Sequence, residues 1–332
     1  MEQRVTWSTA ERYRSDIRLH IVPLLGRLRV AALTPQRVQS FINELTASGL
    51  GPRSVAHCRA VLRTALEQAQ REGAIGLNGA RHVTIPRQKR KQVATLSPTA
   101  AQAIIATFIG HDYEALITMA IAIGLRQGDL LGIRWSDLDL AAATVTVHQQ
   151  LQRVRGEYQL IPLKTDQSRR ILPLPRIAID ALRAHRVRQA AARLRLGSAW
   201  QDRGLVFTNA IGDYLNGSSV THRFQDRLKA AGLPAMAFHD LRHGAASLLL
   251  AQGASMRVVM EQLGHSQISL TMNTYAHIAP ALMRDAADRL DRALGGPASA
   301  RSGRRGTRTG VRSGVKTAGA DRNGAVYCRF HA

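Results

Sequence analysis

The chain has 332 residues, of which 45% are hydrophobic, so it is expected to fold rather than to be disordered as a whole. Because this length exceeds what one hydrophobic core usually supports, we expect two domains. Lys and Arg number 46 against 23 for Asp and Glu, which gives a formal charge of +23. This excess favours a polyanionic partner, most commonly nucleic acid, over the alternatives of an anionic lipid surface or a solubility effect.

Cysteine usage and apolar runs predict an intracellular protein. Cys58 and Cys328 are the two cysteines, and they lack the spacing of metal ligands or of a disulfide framework. The N-terminus has no apolar segment of the signal-peptide type. The longest apolar run, from Ala115 to Leu125, is too short to span a bilayer. We therefore expect a cytoplasmic protein with no membrane partner.

The first part of the chain is predicted to be helical from about residue 8 to residue 73. In one segment Thr34 is predicted as the N-cap, Pro35 as the first helical residue and Gly49 as the stop. Apolar residues recur in that segment at helical spacing, namely Val38, Phe41, Ile42 and Leu45. These patterns predict a helical domain over residues 1–85. A basic linker follows at residues 86–97, and its charge also suits contact with a phosphate backbone.

The second part of the chain mixes helices with short strands. Helical periodicity covers about 99–124 and resumes from about 176 to 294, whereas 143–174 holds three β-rich runs separated by polar turns. The fold class is therefore predicted as mainly α with a small antiparallel β-sheet (α+β), with a second domain at residues 98–294. Residues 295–332 are predicted to be a disordered basic tail, either with non-specific DNA affinity or with no role.

Four separated segments of this second part carry the candidate functional residues. They are Arg126, Lys164, His239 with Arg242, and His265 with Tyr275. Each residue has a structural explanation when taken alone, since an arginine binds helix carbonyls and a tyrosine packs in a core with its hydroxyl hydrated. Lys164 is informative because Lys is rare in this Arg-rich chain. It occurs only at Lys89, Lys91, Lys164, Lys229 and Lys316.

These residue types suit the cleavage of a phosphodiester, whose non-bridging oxygens gain charge as a nucleophile adds. Arg126 and Arg242 offer permanently charged, planar forks to those oxygens. Tyr275 can form a covalent phosphodiester, but its pKa near ~10 means that it needs a base. His239 titrates near neutrality and is the candidate base. Lys164 can give a proton to the leaving oxygen, which an arginine effectively cannot.

The order Arg, Lys, His-x-x-Arg, His, Tyr resembles the tyrosine recombinase (phage integrase) family motif by motif. The strongest segments are GLRQGDLLGIRWSDLD, HDLRH and LGHSQISLTMNTYAH, and the resemblance covers nearly all of residues 8–292. It implies a helical SAM-like core-binding domain followed by a tyrosine-recombinase catalytic domain. It also implies that His265 hydrogen-bonds a non-bridging phosphate oxygen and that Asp129 orients a catalytic side chain.

The resemblance further implies a bacterial site-specific recombinase that integrates or excises a phage or mobile element through a 3′-phosphotyrosine intermediate. The expected partners are double-stranded DNA at attachment sites and other copies of the chain in a tetramer. An accessory DNA-bending protein is a further partner that the resemblance allows. The enzyme is thus expected to be associated with the nucleoid. Because the phosphotyrosyl link conserves bond energy and cationic side chains serve the phosphate, we expect no cofactor and no metal.

Two functions of other classes share much of this pattern. One is a regulator that keeps the fold and binds DNA without cutting it. The other is a DNA relaxer that resembles type IB topoisomerases, which use the same active-site logic. The intact set of Arg126, Lys164, Arg242 and Tyr275 argues against the regulator. The core-binding domain and the Leu-Gly-His turn favour recombination over relaxation.

Overall fold

The computed structural model describes residues 6–87, 96–163, 169–264 and 290. By its internal contacts the chain divides between residues 283 and 284, so every described residue except Leu290 belongs to the first unit. The described part is mostly helical with small antiparallel sheets, which confirms the predicted fold class.

The described N-terminal part, residues 6–87, is mostly helical. Its α-helices are α1 (Trp7–Asp16), α2 (Val22–Leu25), α3 (Pro35–Ala47) and α4 (Pro52–Arg71). A π-helical turn, Ile17–Ile21, joins α1 to α2.

Helix α3 begins and ends where the sequence predicts. The Oγ1 of Thr34 accepts a hydrogen bond from the backbone N–H of Arg37 at 3.3 Å, and Pro35 opens the helix without needing a partner for its nitrogen. The chain turns away at Gly49, whose φ of +84° is favourable only for glycine. All four apolar residues of the predicted stripe are buried. This confirms the helical prediction for this segment.

The remaining helices lie in the C-terminal part of the described chain. They are α5 (Pro98–Thr107), α6 (Glu114–Ile123), α7 (Gln127–Leu131), α8 (Arg176–Leu196), α9 (Gly217–Ala230), α10 (Asp240–Ala251) and α11 (Met256–Leu263). Helix α6 is apolar almost throughout and buried on all sides, and it contacts α8 and α10. A helix without a polar face can sit only inside a core.

Five short strands form two antiparallel sheets. They are β1 (Leu138–Asp139), β2 (Thr144–Val147), β3 (Gln149–Val154), β4 (Glu157–Pro162) and β5 (Arg170–Pro173). One sheet has the order β1-β2-β5, and the other pairs β3 with β4. The sequence predicts β2, β4 and β5 in a single sheet, and it misses β1 and β3. Strand β3 was missed because its residues are mostly polar, and its pairing with β4 decides its conformation.

The helical region predicted from 176 onward is interrupted. Between α8 and α9 the described chain runs through a loop that forms isolated bridges, Arg134 with Leu205 and Thr208 with Tyr214. The bridge between Arg134 and Leu205 joins residues far apart in the sequence, so local periodicity does not reveal it. Among the described residues, no helix is long and apolar enough to cross a membrane.

Buried hydrophobic side chains form two main clusters and a small third one. The first spans residues 25–80 and the second spans residues 96–241. The third joins α10 to α11 through Ala246, Leu250, Val259 and Leu263. The predicted division into domains at 1–85 and 98–294 stays a prediction, and the separate clusters agree with it.

Candidate active site

Arg126 stands at the junction between the buried helix α6 and the short helix α7. Helix α6 ends at Gly124 in the left-handed region, with φ of +66°, and Arg126 follows in an extended conformation as the N-cap of α7. A Cβ at Gly124 would lie 2.7 Å from Cδ2 of Leu263, so both the backbone and the close packing require glycine here. The side chain of Arg126 is 43% exposed. A rigid, buried element thus presents this arginine at the surface.

Arg242 lies in the first turn of α10 and is almost completely buried. Its Nη1 donates to the carbonyl of Gly124 at 2.8 Å, and its Nη2 donates to the carbonyl of Leu263 at 2.7 Å. The same guanidinium therefore holds the chain just before Arg126 and the chain at the end of α11. The sequence predicts a phosphate ligand here, and the structure adds this bridging role.

His239 immediately precedes α10, three residues before Arg242. The residue is exposed, yet the protein around the ring lowers its pKa through desolvation, and the positive charges of Arg242 and Arg126 lower it further against the opposing effect of Asp240. The ring centroids of His239 and His243 are 5.2 Å apart, and the two rings are arranged edge to face. Burial likewise lowers the pKa of His243. The lowered pKa of His239 favours the neutral ring, which is the form that accepts a proton.

Asp129 is a buried carboxylate among three arginines. Its side chain is 1% exposed, and Nη1 of Arg126 lies 3.8 Å from its Oδ2. Within the described residues neither carboxylate oxygen accepts a hydrogen bond of normal geometry. Burial raises the pKa of Asp129, and the charges of Arg126, Arg170 and Arg242 oppose that rise. The predicted role in orienting a side chain thus has a counterpart in the weak ion pair with Arg126.

Arg170, at the start of β5, is a part of this cluster that sequence reasoning missed. Its Nε donates to the carbonyl of Gln262 at 3.0 Å and its Nη2 to that of Leu263 at 3.2 Å. Burial lowers the pKa of Arg170, and the carboxylate of Asp129 opposes that effect. The sequence offers one indication of this role, namely that Arg170 comes shortly after the Lys164 segment. Nothing in the sequence distinguishes Arg170 from its neighbour Arg169 as a functional residue.

Three of the six predicted site residues lie outside the described residues: Lys164, His265 and Tyr275. The structure describes the elements next to two of them, since β4 and β5 flank the Lys164 segment and α11 ends two residues before His265. It brings the other three together to the extent that the charges of Arg242 and Arg126 both lower the pKa of His239.

One group of side chains in the N-terminal helices has ligand types suited to a metal. The ligand atoms of Asp16, His20 and Cys58 lie within 4.8 Å of one another. Asp16 is already engaged by His57 through a short contact to Nδ1. Burial raises the pKa of Cys58 to about 11, so its thiol is protonated at neutral pH and is a poor ligand. We assign no metal to this group.

A buried arginine bridge, a second arginine at the surface and a neutral histidine define a site suited to a phosphate in a mainly helical protein. The phage integrase family profile matches residues 89–281, more than half of the chain. The profile of the N-terminal SAM-like domain of phage integrases matches residues 1–46. The chain belongs to the phage integrase family, and its predicted class, tyrosine recombinase, is confirmed.

Relatives support this assignment along most of the chain. A tyrosine recombinase XerC-like protein of Caldanaerobacter subterraneus subsp. tengcongensis is 29% identical over 282 residues, covering 80% of this chain and 72% of the relative. Tyrosine recombinase XerC of Mesorhizobium japonicum is 28% identical over 287 residues, covering 81% and 85%.

Solved structures show the same fold. The Tn1549 transposon integrase in complex with transposon right end DNA has a TM-score of 0.76 at 19% identity, covering 87% of this chain and 95% of that one. The lambda integrase tetramer bound to a Holliday junction has a TM-score of 0.58 at 21% identity, covering 80% and 73%.

Proposed function

We propose that this chain is a site-specific recombinase that cleaves and rejoins double-stranded DNA through a 3′-phosphotyrosyl link on Tyr275, and so integrates or excises a phage or mobile element. The observation that carries the proposal is the bridge of Arg242. Its guanidinium binds the carbonyls of Gly124 and Leu263, which precede Arg126 and His265 by two residues each. Two separated motifs of the family are thereby tied to one side chain.

Electrostatics support a phosphodiester as the substrate. Arg126, Arg170 and Arg242 act on one buried carboxylate, that of Asp129, so the cluster keeps an excess of positive charge. A phosphodiester is a monoanion whose non-bridging oxygens gain charge as it is attacked. Fixed guanidinium groups lower that barrier because they are oriented before the reaction begins. Arg126 is the exposed member of the pair with Asp129 and is proposed to bind the phosphate directly.

Proton transfer is assigned to His239 and Lys164. His239 takes the phenolic proton of Tyr275 as its oxygen bonds to phosphorus, and the lowered pKa of His239 keeps it in the accepting form. The bond from phosphorus to the 5′ oxygen breaks, and Lys164 donates the proton that makes this oxygen a hydroxyl. His265 is proposed to hydrogen-bond a non-bridging oxygen throughout the step.

Rejoining is the reverse step with another DNA end. A 5′-hydroxyl attacks the phosphotyrosyl group and gives its proton to Lys164. The bond from phosphorus to the phenol oxygen breaks, and Tyr275 takes its proton back from His239. No nucleotide is consumed, because the energy of the broken bond stays in the phosphotyrosyl link. Exchange between two duplexes needs several active sites at once, so we propose a tetramer on paired attachment sites, as the lambda integrase tetramer suggests.

A suicide DNA substrate tests the proposal. A nick placed beside the scissile phosphate lets the released fragment diffuse away, so that cleavage traps a covalent protein–DNA adduct. We expect an adduct with DNA that carries the element's own attachment site, none with unrelated duplexes, and none for Tyr275→Phe. The matched control is Tyr158→Phe in β4, which should cleave like the wild type.

Other outcomes identify the other classes. Adducts with any duplex would indicate a DNA relaxer. A mobility shift with no adduct would indicate a regulator that binds DNA without cutting it. An adduct formed by Tyr275→Phe would remove the assigned nucleophile.

A further inference from the structure

Arg170 and Arg242 share one acceptor, the carbonyl oxygen of Leu263. Arg242 reaches it from α10, and Arg170 reaches it from β5. Arg170 adds a second bond, to the carbonyl of Gln262. The last carbonyls of a helix have no partners within the helix and carry partial negative charge. Two guanidinium groups thus satisfy the end of α11.

Gly264 directly follows Leu263 and lies close to the guanidinium of Arg170. It adopts φ of +65° and ends α11, with its N–H donating to the carbonyl of Glu261. A Cβ at this position would lie 2.8 Å from Nη1 of Arg170. The path of the chain as it leaves α11 is therefore set by hydrogen bonds from Arg170 and also by the space that its guanidinium occupies.

The buried carboxylate of Asp129 lies near both Arg170 and Arg126. Oδ2 of Asp129 is 3.8 Å from Nη1 of Arg126, and the charge of Asp129 opposes the lowering of the Arg170 pKa. Nε and Nη2 of Arg170 donate to protein carbonyls, so these two groups hold the chain at the end of α11. That distinguishes Arg170 from Arg126, whose side chain is substantially exposed.

We propose that Arg170 is a positioning residue that holds the Leu263–Gly264 turn and thereby places His265 for the reaction. The link to the reaction rests on the proposed function, whereas the holding of the turn does not. A positioning role predicts that loss of Arg170 slows the cleavage of bound DNA. It also predicts that this effect depends on the presence of His265.

The first experiment measures the turn alone, without DNA. Amide hydrogen exchange of residues 261–264 is compared in the wild-type full chain, in Arg170→Met and in the matched control Arg169→Met, which removes an exposed neighbouring charge. We expect exchange at least about tenfold faster in Arg170→Met, since charge-assisted hydrogen bonds are lost, and no change in the control. Unchanged exchange in Arg170→Met would overturn the proposal.

The second experiment is a double-mutant cycle with His265→Ala, read as the rate of adduct formation at saturating DNA. Arg170→Met should slow cleavage about tenfold with the Kd for DNA unchanged, and this loss should shrink to less than about twofold in the His265→Ala background. Equal losses in both backgrounds, or a loss of DNA affinity alone, would show that Arg170 does not act through His265. Arg170→Lys, which keeps the charge and loses the fork, should fall between wild type and Arg170→Met.

The two experiments separate failure of this inference from failure of the proposed function. If the wild type forms no adduct with its attachment site, the proposed function fails, and the exchange result still decides whether Arg170 holds the turn. If the wild type cleaves and Arg170→Met neither frees the turn nor slows cleavage, only the inference about Arg170 fails.

Discussion

Arg242 and Leu263 are joined by a hydrogen bond of 2.7 Å from Nη2 to the carbonyl oxygen, while Nη1 of the same arginine binds Gly124. The two acceptors end helices α6 and α11, which are separated by well over a hundred residues in the sequence. Arg242, which is proposed to act in catalysis, is thus also a structural bridge that fixes the relative placement of Gly124 and Leu263. Loss of Arg242 should therefore affect stability as well as cleavage.

Arg242→Ala should lower the free energy of unfolding, because the carbonyl of Gly124 loses the donor from Arg242 and a buried carbonyl left without a donor costs about 1–3 kcal/mol. The carbonyl of Leu263 keeps its hydrogen bond from Arg170. Urea denaturation measures this cost. The matched control is Arg227→Ala, which removes an exposed arginine whose Nε donates to a single carbonyl, that of Thr107. The control variant should lower the free energy of unfolding by less than about 1 kcal/mol. Equal costs for the two variants would contradict the bridging role.

Lys164→Ala should abolish cleavage of an ordinary substrate and recover it on DNA with a 5′-thio leaving group. A thiolate leaves without a proton, so the substrate replaces what a general acid supplies. Adduct formation on both substrates is the measurement. Lys229→Ala, on an exposed position of α9, serves as the control for the loss of one lysine. A variant at Lys164 that stays inactive on the thio substrate would rule out the general-acid role.

Cleavage should slow at acidic pH as His239 becomes protonated. This slowing should occur at a pH below the usual range of histidine pKa values. The pKa of His239 is lowered by desolvation of the ring and by the charge of Arg242, so the ring stays neutral to a lower pH than an ordinary histidine with pKa near ~6.5. Protonation is penalised in the folded state, so stability is also lost as the pH falls from about 6.5 through the lowered pKa.

The measurement is the rate of adduct formation between about pH 5 and pH 8, where histidines titrate. His239→Gln should cleave slowly and without the acidic limb. His243→Gln removes the neighbouring ring and should keep that limb. Loss of the limb in His243→Gln instead would move the proton acceptor to His243.

Asp129 should make the protein less stable as the pH rises through its raised pKa. In that window the folded state holds a proton that the unfolded chain has lost, so the free energy of unfolding falls with rising pH. Asp129→Asn lacks this dependence. Its stability relative to wild type should therefore rise as the pH increases from about 4, the usual carboxyl value. Asp226→Asn on α9 controls for the loss of one charge. The prediction is refuted if the free energy of unfolding of Asp129→Asn relative to wild type does not change with pH.

Much of the local structure is predictable because it depends on neighbours in the sequence. Thr34 and Pro35 begin α3 through bonds that span three residues, and the apolar stripe of α3 is buried as its spacing predicts. Strand β3 was missed for the opposite reason. Its polar residues have no local preference for a strand, and pairing with β4 supplies the hydrogen bonds.

The sequence by itself determined the family, the order of the motifs and the chemical types at the proposed site, because these depend on residue identity and spacing. Only the tertiary structure decided that Arg242 bridges Gly124 and Leu263, that Arg170 joins it, and that the pKa of His239 is lowered. The bond from Arg242 to Gly124 joins residues 118 positions apart, and the bond from Arg170 to Leu263 joins residues 93 positions apart. Desolvation and hydrogen bonding act through space, and one-dimensional spacing does not record them.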